Sequence, residues 1–159
     1  MKSGVLKAIQ AECGISAALE VVGERWSFLI LRGAFNGLRH FEEFQSTLGI
    51  ARNILSHRLA RLVEHQILKR QADSADRRRI VYGLTDKGKA LLPVLIALRQ
   101  WGERWVSGMP SNPVLIDRKT RQPVDTIAVR SGDGRALTLS DLEWLDRSEL
   151  EEDRPHRAA

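Results

Sequence analysis

The 159-residue chain is poor in the residues that build catalytic or metal centres. It has one cysteine, Cys13, which excludes an internal disulfide framework and any cysteine-built zinc site. Its four histidines, His40, His57, His65 and His156, show no ligand spacing with acids, so no metal site and no cofactor are expected. Nothing in the chain has the form of a P-loop, a dinucleotide fingerprint or a nucleophile elbow, and Ser27 and Ser56 have no evident base partner. An enzyme is therefore not expected. Long apolar runs are also missing: those near 28–31 and 90–98 fall far short of the ~20 residues that span a bilayer. No apolar leader opens the chain. A cytoplasmic protein without a membrane partner is the expectation.

What the chain does have is charge, unevenly placed. A net +5 and a pI near 9.9 favour a polyanionic partner. Residues 39–87 carry ten Lys or Arg against six acids, whereas residues 141–159 carry three arginines against seven acids. At 43% hydrophobic residues the chain can bury a core.

The basic surplus coincides with a patterned stretch, 41–68. Phe41, Phe44 and Leu48 recur at helical spacing, Gly49 interrupts, and Leu55, Leu59 and Leu62 resume the pattern. Two short helices joined through a glycine predict a helix-turn-helix over 41–66. Its second helix would leave Arg52, Asn53, Ser56 and His57 free at the N-terminal end. Arginine pairs two-pronged with guanine and asparagine with adenine, and a helix in the major groove reads with its first turns. Arg58 lies toward the flank, where a structural or phosphate-binding role competes with base reading. Arg39 and His40, just before the first helix, suit a phosphate at a helix N-terminus.

A hairpin of wing size is predicted next, over 67–84: Ile80, Tyr82 and Leu84 alternate, and the polar tip carries Arg77, Arg78 and Arg79. Thr85 and Asp86 then open a predicted long helix over 86–106, with Pro93 kinking it or tolerated near its start. Leu91, Leu95, Leu98, Trp101 and Trp105 form an apolar stripe on it, read as a dimer interface in preference to monomer core. Upstream, Leu6 and Ile9 of a short helical arm join that interface, a second helix starts at Ile15, and a third opens at Glu24-Arg25-Trp26 and stops near Asn36-Gly37. The domain division expected is 1–108, a winged helix-turn-helix with its dimerisation helix, and 109–159, a small β-hairpin extension with an acidic tail. The fold class is mainly α with a small β component.

Ordered features from 13 to 105 give the chain a family resemblance. They are Cys13, Ile15, Leu19, Gly23, Arg25-Trp26, Ile30-Leu31-Arg32, Gly37, Phe41, Glu43-Phe44, Leu48-Gly49-Ile50, Asn53, Leu55-Ser56, Arg58-Leu59, Leu62, Ile67-Leu68, Tyr82, Leu84-Thr85 and Gly88. With Gln100-Trp101-Gly102 and Arg104-Trp105 they resemble the HxlR-type bacterial winged helix-turn-helix regulators, relatives of the MarR group. The resemblance implies a homodimer on a (pseudo)palindromic operator in double-stranded DNA, acting as a repressor or activator, with terminal helices at the interface. It also implies, for some members, sensing of electrophiles, quinones or oxidants through a cysteine at the Cys13 position. From the residues alone, Cys13 is either a small apolar filler or a thiol activated at a helix N-terminus. Two features depart from the family pattern: Gly14 follows Cys13 where proline is usual, and the wing has an arginine triplet where proline is common. The segment from Pro113 to Leu145 resembles a C-terminal extension found on some members. The reading from a different class is a dimeric winged-helix module that docks protein or a small-molecule effector without binding DNA.

Overall fold

In the computed structural model, which describes residues 13–145, the chain opens with helix α1 (Gly14–Val22), then α2 (Arg25–Phe35), α3 (Phe41–Leu48) and α4 (Arg52–Glu64). Strands β1 (Leu68–Ala72) and β2 (Ile80–Leu84) follow, then the short α5 (Asp86–Lys89) and α6 (Leu92–Gly102). The arm carrying Leu6 and Ile9, and the acidic tail, lie outside the described residues.

The helix-turn-helix forms where the apolar spacing places it. Helix α3 ends at Gly49, whose φ of 61° puts it in the left-handed region that a side chain disfavours. Its N–H still closes the last turn on the Gln45 carbonyl at 3.1 Å. The chain then turns and α4 starts at Arg52. Leu55, Leu59 and Leu62 share one face of α4, and all three are sealed from solvent together with Phe44, Ile30, Leu31 and Leu68. Helix α2 passes behind this pair, with Gly33 allowing Phe44 and Leu38 to close in; a Cβ there would come within 2.9 Å of Leu38 and 3.1 Å of Phe44. Trp26 is partly buried and packs against this core.

β1 and β2 pair antiparallel, with Arg70 opposite Tyr82 and Ala72 opposite Ile80. The sheet is sewn to the helices by a bridge between His40 and Val81 and by the Tyr82 N–H, which donates to the Arg39 carbonyl at 2.7 Å. Thr85 fixes the exit from the wing. Its hydroxyl donates to the Gln66 carbonyl and accepts from the Gly88 N–H at 3.0 Å. Gly88 itself abuts the Ile67 carbonyl, where a Cβ would stand 2.2 Å from the oxygen.

The helix expected over 86–106 is divided. α5 stops at Lys89, Ala90 and Leu91 form a break, and α6 restarts with Pro93 in its first turn. Proline lacks the N–H an inner turn needs but fits a helix start, so it marks a new helix and not a kink. After Gly102 the coil widens to a π-turn, Glu103–Ser107, and ends at Gly108 with φ 67°.

Two compact units emerge: residues 18–127, and the remainder, described here over 13–17 and 128–145. This division falls later than the expected one after 108, because the first hairpin of the extension is fastened to α6. The Arg99 guanidinium donates to the carbonyls of Ser111 (3.2 Å) and Pro113 (2.6 Å) and pairs with Glu103 at 2.7 Å. The Gln100 amide donates to the Asp125 carbonyl and accepts from the Ile127 N–H. That hairpin holds a single bridge, between Ile116 and Pro123, with the Val124 N–H donating to the Leu115 carbonyl at 3.0 Å. In the second unit, a bridge between Arg130 and Ala136 closes a turn over 131–134, and a 3-10 turn, Leu139–Asp141, follows Thr138.

Candidate nucleic-acid interface

The N-terminal turns of α4 stand open. Arg52, Asn53, Ser56 and His57 are exposed, and the side chains of Asn53, Ser56 and His57 have no hydrogen-bond partner among the described residues. With Leu55, Leu59 and Leu62 facing inward, Asn53 and His57 fall on the opposite arc and Ser56 on its flank, whereas Arg52, three residues before Leu55, is on the leucine side and is exposed because it opens the helix. The Arg52 guanidinium lies over the Phe41 ring, 4.9 Å from its centroid, which orients it while leaving its donors available.

Beside it is the wing. Arg77, Arg78 and Arg79 are exposed around a loop shaped by its own acids. Asp76 accepts from the Arg78 backbone N–H at 3.1 Å and side-chain Nε at 3.2 Å, and the hydrogen bonds to Arg78 hold its carboxyl below the usual range. Between wing and helices lies an open cleft of about 370 Å³, lined by His40, Phe41, Arg52, Arg78, Arg79 and Tyr82, among others. Three arginines and a single carboxylate, Glu42, line one concave surface. That arrangement favours a polyanion.

Two residues expected at the interface have other work. Arg58 is turned back into the fold, with its guanidinium paired to Glu24 at the start of α2 and its side chain largely buried. It staples α4 to α2 and is not available to the groove. Nothing in local sequence pointed to Glu24, thirty-four residues upstream. His40 is likewise engaged: Nδ1 contacts Glu43 at 3.1 Å and Nε2 contacts Asp73 at 2.8 Å, so it does not present itself to a phosphate. Glu43 also accepts the backbone N–H groups of Arg39 (2.8 Å) and His40 (2.9 Å), chiefly through which its carboxyl is lowered to about 2. An acid three residues after the residue preceding a helix is a readable capping signal; Asp73 is not. Arg39 keeps an exposed side chain at the helix entrance.

On α6 and the π-turn, Leu98, Trp101 and Trp105 are 50%, 57% and 66% exposed, while Leu91 and Leu95 pack partly against the core. Cys13 is a free, half-buried thiol immediately before α1. No group of three or more His, Cys, Asp or Glu among the described residues could hold a metal ion, and no described helix is long and apolar enough to cross a membrane.

A helix-turn-helix followed by a two-stranded wing, with an exposed first turn on its second helix, defines the winged-helix class. Comparison with known proteins bears this out. The profile of the HxlR-like helix-turn-helix family matches residues 21–109, and the chain belongs to that family. It is 41% identical over 106 residues to the uncharacterised HTH-type transcriptional regulator Rv3095 of Mycobacterium tuberculosis, spanning 67% of each chain. Over 92 residues it is 29% identical to the HTH-type transcriptional regulator YodB of Bacillus subtilis, covering 57% of this chain and 82% of that one. Among solved structures, PA1607, described as a candidate transcription factor, superposes with TM-score 0.79 at 43% identity, covering 89% of this chain and 99% of its own. That match extends into the 109–159 segment. Reduced YodB superposes with TM-score 0.53 at 28% identity, covering 60% of this chain and 95% of that one. The protein is a transcriptional regulator of the HxlR type, not an enzyme.

Proposed function

We propose that the chain binds duplex DNA sequence-specifically as a homodimer on a (pseudo)palindromic operator. The observation that carries this reading is the open N-terminal arc of α4, Arg52, Asn53, Ser56 and His57, set beside a cleft shared with wing arginines. Asn53 and Arg52 read base edges in the major groove; Arg77, Arg78 and Arg79 hold phosphate or the minor groove, and Arg39 a phosphate at the helix entrance. The stripe of Leu98, Trp101 and Trp105, with Leu91 and Leu95 at its base, pairs two copies. The sequence pattern adds Leu6 and Ile9 to that interface. The division into 1–108 and 109–159 remains part of this reading, with the extension's first hairpin anchored on α6.

The test is a mobility shift with the DNA flanking its own gene. A shift is expected, with Arg78→Ala weakening all sequences alike and flattening the salt dependence. No shift even at low salt would favour a protein- or ligand-docking module instead.

Relatives suggest what controls the switch. YodB has been solved in a reduced form and bound to quinone. We infer that Cys13 takes part in sensing an electrophile or oxidant here; as the chain's one cysteine, it forms any disulfide with a second copy or a small thiol. Alkylation of Cys13 followed against pH, with and without oxidant, checks this, and an inert thiol would end the sensor reading.

A further inference from the structure

His40 sits where the wing meets the helix-turn-helix. It immediately precedes α3 and bridges to Val81 on β2, and its side chain is only 15% exposed. One ring nitrogen faces Glu43 and the other faces Asp73. Asp73 begins the wing loop that carries the arginine triplet, and its N–H donates to the Arg79 carbonyl at 2.9 Å. We propose that His40 is a positioning residue for the wing: as an imidazolium it clasps Glu43 and Asp73 together and so sets where Arg77, Arg78 and Arg79 meet DNA phosphates. The proposal rests on the DNA-binding reading above.

The chemistry is one of counting protons. An ionised carboxylate only accepts, and neutral imidazole has a single N–H. Both carboxylates are held ionised by other donors, Glu43 by the N–H groups of Arg39 and His40, and Asp73 by the Ala75 N–H at 2.9 Å. Two donors from one ring therefore require the charged form. On deprotonation either tautomer keeps one contact, turns a lone pair toward the other carboxylate and loses charge assistance at both. Other charges nearby act on the same ring: Arg79 opposes its protonation, and Glu42, Arg52 and Arg78 line the same cleft. Arg39 adjoins it in the chain. The hydrogen bonds to Asp73 and then Glu43 prevail, raising the His40 pKa above the ordinary 6.5. A raised folded-state value means that the clasp is fully present below the ordinary pKa and is lost as pH rises through the raised one.

Two measurements on the full chain test this. In a nitrogen-resolved NMR titration, His40 should change charge above the free-histidine range, and Asp73→Asn should lower its midpoint. In fluorescence anisotropy with a random-sequence duplex at low salt, wild type should lose about fivefold more affinity than His40→Gln between about pH 6 and about pH 9. His40→Arg, permanently charged, should hold the acid-side affinity throughout. Comparing the variants at each pH isolates the contribution of position 40. Equal pH slopes for wild type and His40→Gln would overturn control of the wing. An ordinary His40 midpoint, unmoved by Asp73→Asn, with DNA binding intact, would overturn the clasp alone. No binding at any pH, with the high titration intact, would overturn the DNA-binding reading and the functional half of this proposal.

Discussion

Leu55, Leu59 and Leu62 on α4 and Leu98, Trp101 and Trp105 on α6 and its π-turn carry the same sequence signal, apolar residues three or four apart. Their fates differ. The first set is closed off by Phe44, Ile30, Leu31 and Leu68, with none of its three members more than 1% exposed. The second is more than half open at Trp101 and Trp105. Spacing identifies a face but not what covers it. On α4 the cover comes from elements of the same unit. On α6 the polar neighbours Arg99 and Gln100 are spent on anchoring the hairpin that follows, and the tryptophans remain outside. In the proposed dimer a second copy covers this open stripe.

The contrast can be broken experimentally. Phe44→Ala should cost ~3–5 kcal/mol in urea unfolding, the cost of emptying a sealed aromatic site. Asn53→Ala should leave unfolding unchanged and weaken the specific DNA site by ~1–3 kcal/mol in a binding titration. Equal binding of this variant and wild type would sink the base-reading claim. Gly49→Ala, which forces a side chain into the left-handed turn at φ 61°, should destabilise by ~1–2 kcal/mol in the same unfolding assay. Trp105→Ala should move the unfolding of dilute monomer by less than ~0.5 kcal/mol, yet reduce self-association in sedimentation. A cost near that of Phe44→Ala, with association intact, would make the α6 stripe a core feature.

The smallest effect concerns acid. Glu43 has a folded-state pKa of about 2 against an ordinary 4.5, so it contributes stability above pH 4.5 that is lost as pH falls toward 2. Glu43→Gln should lower stability at neutral pH and flatten this part of the acid-unfolding profile. An unchanged profile would remove the α3 capping contact from the account.

Much of the architecture was legible because it rests on local rules. The periodicity of 41–62, the glycine at 49, the alternation of Ile80, Tyr82 and Leu84, and Thr85 as a helix cap each state their element within a few residues. The exposure of Asn53, Ser56 and His57 follows from the same leucines by geometry, and that of Arg52 from its place at the start of α4. The proposed interface lost two members to long-range pairings. Arg58 is bound to Glu24, and His40 to Asp73, thirty-three residues away, and no spacing rule reaches that far. The single helix expected over 86–106 failed locally: Pro93 is placed better in a first turn than in a helix interior, and α6 starts afresh.

By itself, then, the order of residues determined a helix-turn-helix, its wing, its basic surplus and the side of α4 that stays free, because helix and strand periods and turn chemistry act between near neighbours. Only the tertiary structure decided which charges are available. A guanidinium or an imidazole that finds a carboxylate across the fold becomes part of the scaffold, and Arg58 and His40 found theirs. It also decided that the α6 tryptophans stay outside the core, since burial depends on the elements that arrive to cover a face.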